Sequence, residues 1–229
     1  MLTIGLVGGM SWESSAEYYR LLNEGARRRL GGLSSAKVVL SSVEFGELTD
    51  LQRKEKWDDV GEILATAADG VEAAGASVLL LCTTAFHIVA EQVAAAVDIP
   101  VLHLADVVAD AIKAQDLESV AFLGTAFSMG RPFFTDRLAS HGLEVLVPDE
   151  RHHATFDRLI YDELVHGKVV DTSRRAVVEV INELWDQGAE GVVLGCTELE
   201  MLIKQADSDL PVFPVTTLHV EAALNRALS

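Results

Sequence analysis

With 229 residues, 49% of them hydrophobic, the chain can bury a sizeable core in one large or two small domains. Its formal charge of −17 at pH 7 argues against nonspecific attraction to nucleic acid or anionic lipid, which need clustered positive charge. A small anion held by the local field of a cleft stays open. Two cysteines make no disulfide framework. Without a basic, apolar leader or an apolar run long enough to span a bilayer, the expected protein is soluble and cytoplasmic.

Residues 2–7 form an apolar run of strand length broken by Gly8-Gly9, and Ser11 can cap a helix over 12–30. The intervening loop offers backbone amides to a phosphate or carboxylate, but it lacks both the three-glycine dinucleotide spacing and the lysine of a P-loop. Residues 38–42 read as a second strand. The polar stretch 44–56, with Gln52, Arg53 and Lys54, reads as a solvated loop or helix face. Helical periodicity over 58–74 ends at Gly75, and 77–81 is a very apolar strand running into Cys82-Thr83-Thr84-Ala85-Phe86-His87.

Farther along, 106–115 reads as a helix, 120–123 as a strand, and 125–130 as a polar loop before a helix near Pro132. A strand over 144–147 stops at Pro148. Amphipathic helices over 155–165 and 172–187 are joined through His166-Gly167-Lys168. Residues 192–194 are a buried strand leading through Gly195 into Cys196-Thr197-Glu198 and a helix start, and 216–228 closes the chain as a helix.

Three landmarks recur in the same order. Cys82-Thr83 is matched by Cys196-Thr197, Ile99-Pro100-Val101-Leu102 by Leu210-Pro211-Val212-Phe213, and Gly5-Leu6-Val7-Gly8 by Phe122-Leu123-Gly124-Thr125. An offset of roughly 110 residues suggests two related halves, each a small parallel sheet flanked by helices. The expected fold class is therefore α/β, with two similar parallel-sheet domains related by pseudo-two-fold symmetry. Their expected bounds are 1–103 with 214–229, and 104–213.

In such a fold, ligand sits outside the carboxyl ends of the strands, in the cleft between the halves. A thiol at a strand end facing helix amides tends toward a lowered pKa. Groups presented from opposite sides suit taking a proton from one face of a carbon and returning one to the other. A free cysteine is also often a small, inert buried residue, and the stretch around Cys196 alone leaves both readings open.

Four strings, Gly8-Gly9-Met10-Ser11-Trp12-Glu13-Ser14, Cys82-Thr83-Thr84-Ala85-Phe86-His87, Gly124-Thr125-Ala126-Phe127-Ser128-Met129 and Gly195-Cys196-Thr197-Glu198-Leu199, resemble the cofactor-independent aspartate/glutamate racemase family over nearly the whole chain. The resemblance implies a homodimer acting on a small acidic amino acid without pyridoxal phosphate or metal. It also implies one acid/base residue in each half. The second-half residue is Cys196. In the first half the family position falls on Thr83, and since adjacent side chains of an extended segment face opposite ways, Cys82 turns into the core when Thr83 faces the cleft.

The resemblance carries substrate-binding roles to Met10, Gln52, Thr84, Ala85, Thr125, Lys168 and Thr197. Lys168 pairs with a side-chain carboxylate in that reading, or is a solvated lysine after a helix-ending glycine. Thr84 stands where the family often has Asn, which leaves the substrate open. A threonine hydroxyl is a far weaker acid than a thiol, so an asymmetric enzyme is expected, and the resemblance alone implies that it favours the L-enantiomer. His87 reads as a helix-start histidine ahead of a catalyst, and Glu198 either orients Cys196 or serves the helix dipole. The alternatives are a related maleate isomerase or arylmalonate decarboxylase-type enzyme, or a non-catalytic dicarboxylate-binding protein.

Overall fold

The structure is a computed structural model that describes all 229 residues. In chain order it runs β1 (Ile4–Gly8), α1 (Trp12–Leu30), β2 (Val38–Ser42), α2 (Phe45–Arg53), α3 (Trp57–Ala73), β3 (Val78–Leu81), α4 (Ala90–Ala95) and α5 (Leu104–Lys113). There follow β4 (Ser119–Leu123), α6 (Ala126–Met129), α7 (Pro132–Ser140), β5 (Glu144–Leu146), α8 (Glu150–Arg158), α9 (Asp171–Asp186), β6 (Gly191–Leu194), α10 (Thr197–Leu202), β7 (Val212–Pro214) and α11 (Val215–Leu228). No helix is long and apolar enough to cross a membrane.

Local chemistry accounts for the boundaries. The Ser11 hydroxyl accepts from the Ser14 amide and starts α1. The stretch 44–56 is largely helical because the Glu44 carboxylate accepts from the amides of Gly46 and Glu47, at 3.0 and 2.6 Å, which also holds that carboxyl below its ordinary range. Within 125–130, expected as a loop, Thr125 caps the single turn α6, with the Ser128 amide 3.2 Å from its hydroxyl. The helix expected over 155–165 begins earlier, at Glu150. It ends in a π-helical turn, Leu159–Glu163, followed by a 3₁₀ turn, Leu164–His166.

The chain divides into two compact units: Met1–Leu104 with His219–Ser229, and Ala105–Leu218. In the first, the parallel order is β2-β1-β3, extended by a parallel bridge between Leu79 and Val101. In the second it is β5-β4-β6-β7, also parallel throughout. Both units thus use one topology, with the central strand flanked by the next two and a fourth beyond, as parallel βαβ crossovers require.

Alternation sorts the first unit's strand residues to two cores. Ile4, Leu6, Val78, Leu80 and Cys82 pack with Tyr18, Leu22 and Ala26 of α1 and with Val220, Ala223 and Leu224 of α11. Val7, Leu79 and Leu81 pack on the other side with Leu48, Leu64, Ala68 and Val71. Gly5 lies under α3, where a Cβ would stand 2.4 Å from Val71. Beneath α1 and α11, the Tyr18 hydroxyl lies 3.0 Å from His219 Nδ1, and His219 Nε2 lies 2.8 Å from the Leu102 carbonyl. That ring is fully buried, and desolvation pushes its pKa down to about 4.

In the second unit, Val120, Phe122 and Leu194 are fully buried, and Phe122 stacks on Phe134 of α7 at 5.0 Å between centroids. Asp106 of α5 takes both Nε and Nη2 of Arg137, at 2.7 and 2.9 Å, and lies 2.8 Å from His141 Nε2. This fork joins α5 to α7.

Candidate active site

In the first unit, three loops meet at the carboxyl end of the sheet. The Val43 amide donates to Gly8 O and the Cys82 amide to Val7 O, both at 2.9 Å. Gly9 has φ +90°, and a Cβ there would stand 2.2 Å from the Val43 carbonyl oxygen, so the close approach admits glycine alone. The Gly9 amide donates to the Ser15 hydroxyl at 2.8 Å, tying the loop to α1. Met10 is buried in the core, leaving its backbone as the part able to meet a ligand. Gln52 is half-buried near the end of α2.

Cys82 is wholly inaccessible, and burial alone holds its thiol far above the ordinary range. Thr83 and Ala85 are half-exposed, whereas Thr84 is buried. His87 anchors this turn: its Nδ1 lies 2.6 Å from the Thr83 carbonyl, and its Nε2 is 3.2 Å from the Leu104 amide.

In the second unit, Gly195 donates its amide to Leu123 O at 2.7 Å. A Cβ on Gly195 would stand 2.5 Å from the Phe122 ring. Cys196 follows in extended backbone as the N-cap of α10 and is half-buried. The expectation of a thiol lowered by helix amides is reversed. Desolvation first, then the carboxylates of Glu198 and Glu200, push its pKa well up, and the Leu199 amide pulls the other way without prevailing. The resting group is therefore the neutral thiol.

Around it, the Thr197 hydroxyl donates to Glu198 Oε2 at 3.0 Å. Glu200, missed at the sequence level, accepts from the Thr216 amide at 2.6 Å and the Thr217 hydroxyl at 3.1 Å. Burial pushes its carboxyl up to about 7. Its spacing of four from Cys196 was the available signal, since such residues share a helix face. Tyr161, in the π-helical turn, was also missed. Although its ring is partly exposed, desolvation and the nearby carboxylates of Asp157 and Glu198 push its phenol up to about 12, so it stays a neutral donor.

Thr125 is engaged in capping α6, and the Ala126 amide donates to Asp157 at 2.8 Å. Lys168 is exposed, follows Gly167 in left-handed backbone, and its charge favours the Glu163 carboxylate. A groove on the second unit, about 180 Å³ and lined by Phe156, Val177, Val180 and Glu183, includes none of the predicted site residues. No group of three His, Cys, Asp or Glu side chains is placed to hold a metal ion.

The two loops are equivalent by register. Val7 pairs with Leu81, and Leu123 with Leu194. The next amides, Cys82 and Gly195, donate to those same central-strand carbonyls. Thr83 is therefore the counterpart of Cys196, and Thr84 of Thr197. Matching the Cys-Thr strings directly is one residue out of step, and so is matching Gly8 to Thr125, because Gly8 corresponds to Gly124.

This chain is similar over its full length, and the full length of the other chain, to a Yersinia pestis protein provisionally described as an Asp/Glu racemase, at 42% identity and TM-score 0.95. It is also similar to an aspartate racemase homologue from Pyrococcus horikoshii OT3, at 31% identity and TM-score 0.91, again with 100% of both chains covered. The aspartate racemase of Picrophilus torridus shares the fold at TM-score 0.76 and 17% identity, with 99% of this chain and 94% of that one covered. Residues 7–223 match the Asp/Glu/hydantoin racemase family, and the chain belongs to that family as an isomerase of the racemase class.

Proposed function

We propose that this enzyme racemises aspartate, glutamate or both without pyridoxal phosphate, with Cys196 as the base and Thr83 as its counterpart, and that it favours the L-enantiomer. The observation carrying this reading is the register equivalence of Thr83 and Cys196, both half-buried at strand ends. The similar proteins, one provisionally described as an Asp/Glu racemase and the other an aspartate racemase homologue, support the substrate class.

The resting thiol must lose its proton before it can accept one from carbon. The carboxylates of Glu198 and Glu200 raise its pKa, and an α-ammonium arriving beside them offsets that charge and favours the thiolate. Glu198, against the thiol, takes the sulfur proton. The thiolate then takes the α-proton, and the C–H electron pair passes into the α-carbon and its carboxylate. Thr83 delivers a proton to the opposite face and recovers one from water, and Glu198 returns the sulfur proton to the hydroxide left behind. A hydroxyl is poor at both parts of that exchange, so the Thr83-dependent direction is slow.

Met10 and Ala85 through their backbones, and Gln52, Thr84, Thr125 and Thr197 through theirs or short polar groups, form the binding set. Lys168 meets the side-chain carboxylate. On the same resemblance the enzyme is a cytoplasmic homodimer, and sedimentation equilibrium tests the assembly. The deciding experiment is proton NMR of L-aspartate and L-glutamate in deuterium oxide. Loss of the α-proton signal with wild type and its persistence with Cys196→Ala supports the reading, and no exchange with either amino acid by folded protein overturns it.

A further inference from the structure

His87 lies four residues after Thr83, and Glu200 four after Cys196. Both reach the first turn of the helix that follows the fourth strand position of their unit. His87 Nε2 meets the Leu104 amide at the start of α5, and Glu200 meets the Thr216 amide at the start of α11. These are also the places where the chain passes from one unit to the other, at 104/105 and 218/219. Two unlike residues, an imidazole and a carboxylate, thus perform one task at equivalent positions. A helix-start histidine merely filling core would need neither bond.

We propose that His87 is a positioning residue for Thr83, in the tautomer with its proton on Nδ1; the inference rests on the racemase reading above. An amide can only donate, so the Leu104 N–H requires a lone pair on Nε2, which leaves Nδ1 as the protonated nitrogen. That nitrogen donates to the Thr83 carbonyl at 2.6 Å. Thr83 is consequently held from both sides: the preceding residue by the Cys82 amide on Val7, and its own carbonyl by His87.

Fixing that peptide plane fixes where the Thr83 side chain leaves the backbone. A weak acid/base group depends on such placement, because small displacements of reacting groups cost large factors in rate. His87 is 4% exposed, with the His103 ring edge-on at 4.8 Å and the His219 ring at 6.1 Å, so few alternative ring orientations are open to it. It reaches Thr83 through the backbone and touches no substrate, and its effect should fall on one direction of the reaction.

The test compares His87→Asn, whose amide can replace Nδ1–H toward Thr83, with His87→Gln, whose longer side chain can replace Nε2 toward Leu104. α-Proton exchange from L- and D-aspartate in deuterium oxide is measured alongside Thr83→Ala, which defines the Thr83-dependent direction. The expected result is a loss of kcat of about tenfold or more in that direction for His87→Gln, substantial retention in His87→Asn, and little change in the other direction for either. Equal loss in both directions, or equal loss in both variants in step with thermal stability, overturns the proposal and leaves His87 a packing residue. If Thr83→Ala changes neither direction, the reading of Thr83 itself fails. Nitrogen-15 NMR of the wild-type ring then decides the positioning separately: a proton on Nδ1 with a shifted Thr83 carbonyl-carbon resonance in His87→Gln upholds it, and a proton on Nε2 overturns it.

Discussion

The amides of Cys82 and Gly195 make the same hydrogen bond, each donating to the carbonyl of the last central-strand residue paired with its own strand, Val7 at 2.9 Å and Leu123 at 2.7 Å. One residue onward, Thr83 and Cys196 are equivalents. The conspicuous cysteine of the first unit is wholly buried, and the register counterpart of Cys196 is its neighbour.

Thiol labelling should separate the two cysteines. In folded protein, iodoacetamide is expected to modify Cys196 and leave Cys82 untouched, because only the thiolate reacts and Cys82 is both inaccessible and held protonated. Modification of Cys196 should itself be slow at neutral pH and rise as pH increases. Glu198→Gln should shift that profile to lower pH by removing a carboxylate that favours the thiol. Peptide mass mapping after timed labelling checks both.

Thr83→Cys should supply the missing thiol at the register position of Cys196. We expect the Thr83-dependent direction to accelerate by about tenfold or more, in line with general acid/base contributions. Because the two enantiomers are equal in free energy, kcat/KM must rise by the same factor in both directions, and any difference between the directions is confined to kcat and KM separately. Circular dichroism of both aspartate enantiomers measures it, and unchanged kinetics with folded protein would count against Thr83 as the counterpart.

Two buried groups should pull acid stability in opposite directions over one pH range. His219 titrates at about 4 in the fold against 6.5 ordinarily, so between these values the unfolded chain binds more protons and stability falls as pH falls. Glu200 titrates at about 7 against 4.5, so the folded chain binds more protons there and stability falls as pH rises. His219→Gln should flatten the first slope and Glu200→Gln the second, read by urea midpoints between about pH 4 and 7.

Gly195→Ala should destabilise the second unit. The added Cβ would stand 2.5 Å from the Phe122 ring and 2.7 Å from the Leu123 carbonyl oxygen, neither of which can yield without disturbing the β4–β6 pairing. Overpacking of this kind costs about 1–3 kcal/mol. A lowered thermal midpoint, with a larger fall in activity than Gly191→Ala produces, would mark the added effect on the Cys196 backbone.

Helices α1, α3, α9 and α11, the strands β1 to β6 and the parallel character of the sheets were legible in the sequence, because each element rests on local periodicity, a capping residue such as Ser11 or a glycine break such as Gly75; the strand order came only from the fold. The repeat was legible too, but matching the strings alone set Cys82 against Cys196, and only the family resemblance put Thr83 there. A Cys-Thr string compares residue types, whereas equivalence is set by which amide meets which carbonyl across strands, and that is decided only when β3 and β6 pair with β1 and β4. The charge state of Cys196 is likewise a tertiary result. Helix amides are implied by the sequence, but desolvation and the carboxylates of Glu198 and Glu200 outweigh them only once α10 is packed. Chain order determined which chemical groups stand beside each other, and packing determined which of them meet water, a carbonyl or a charge.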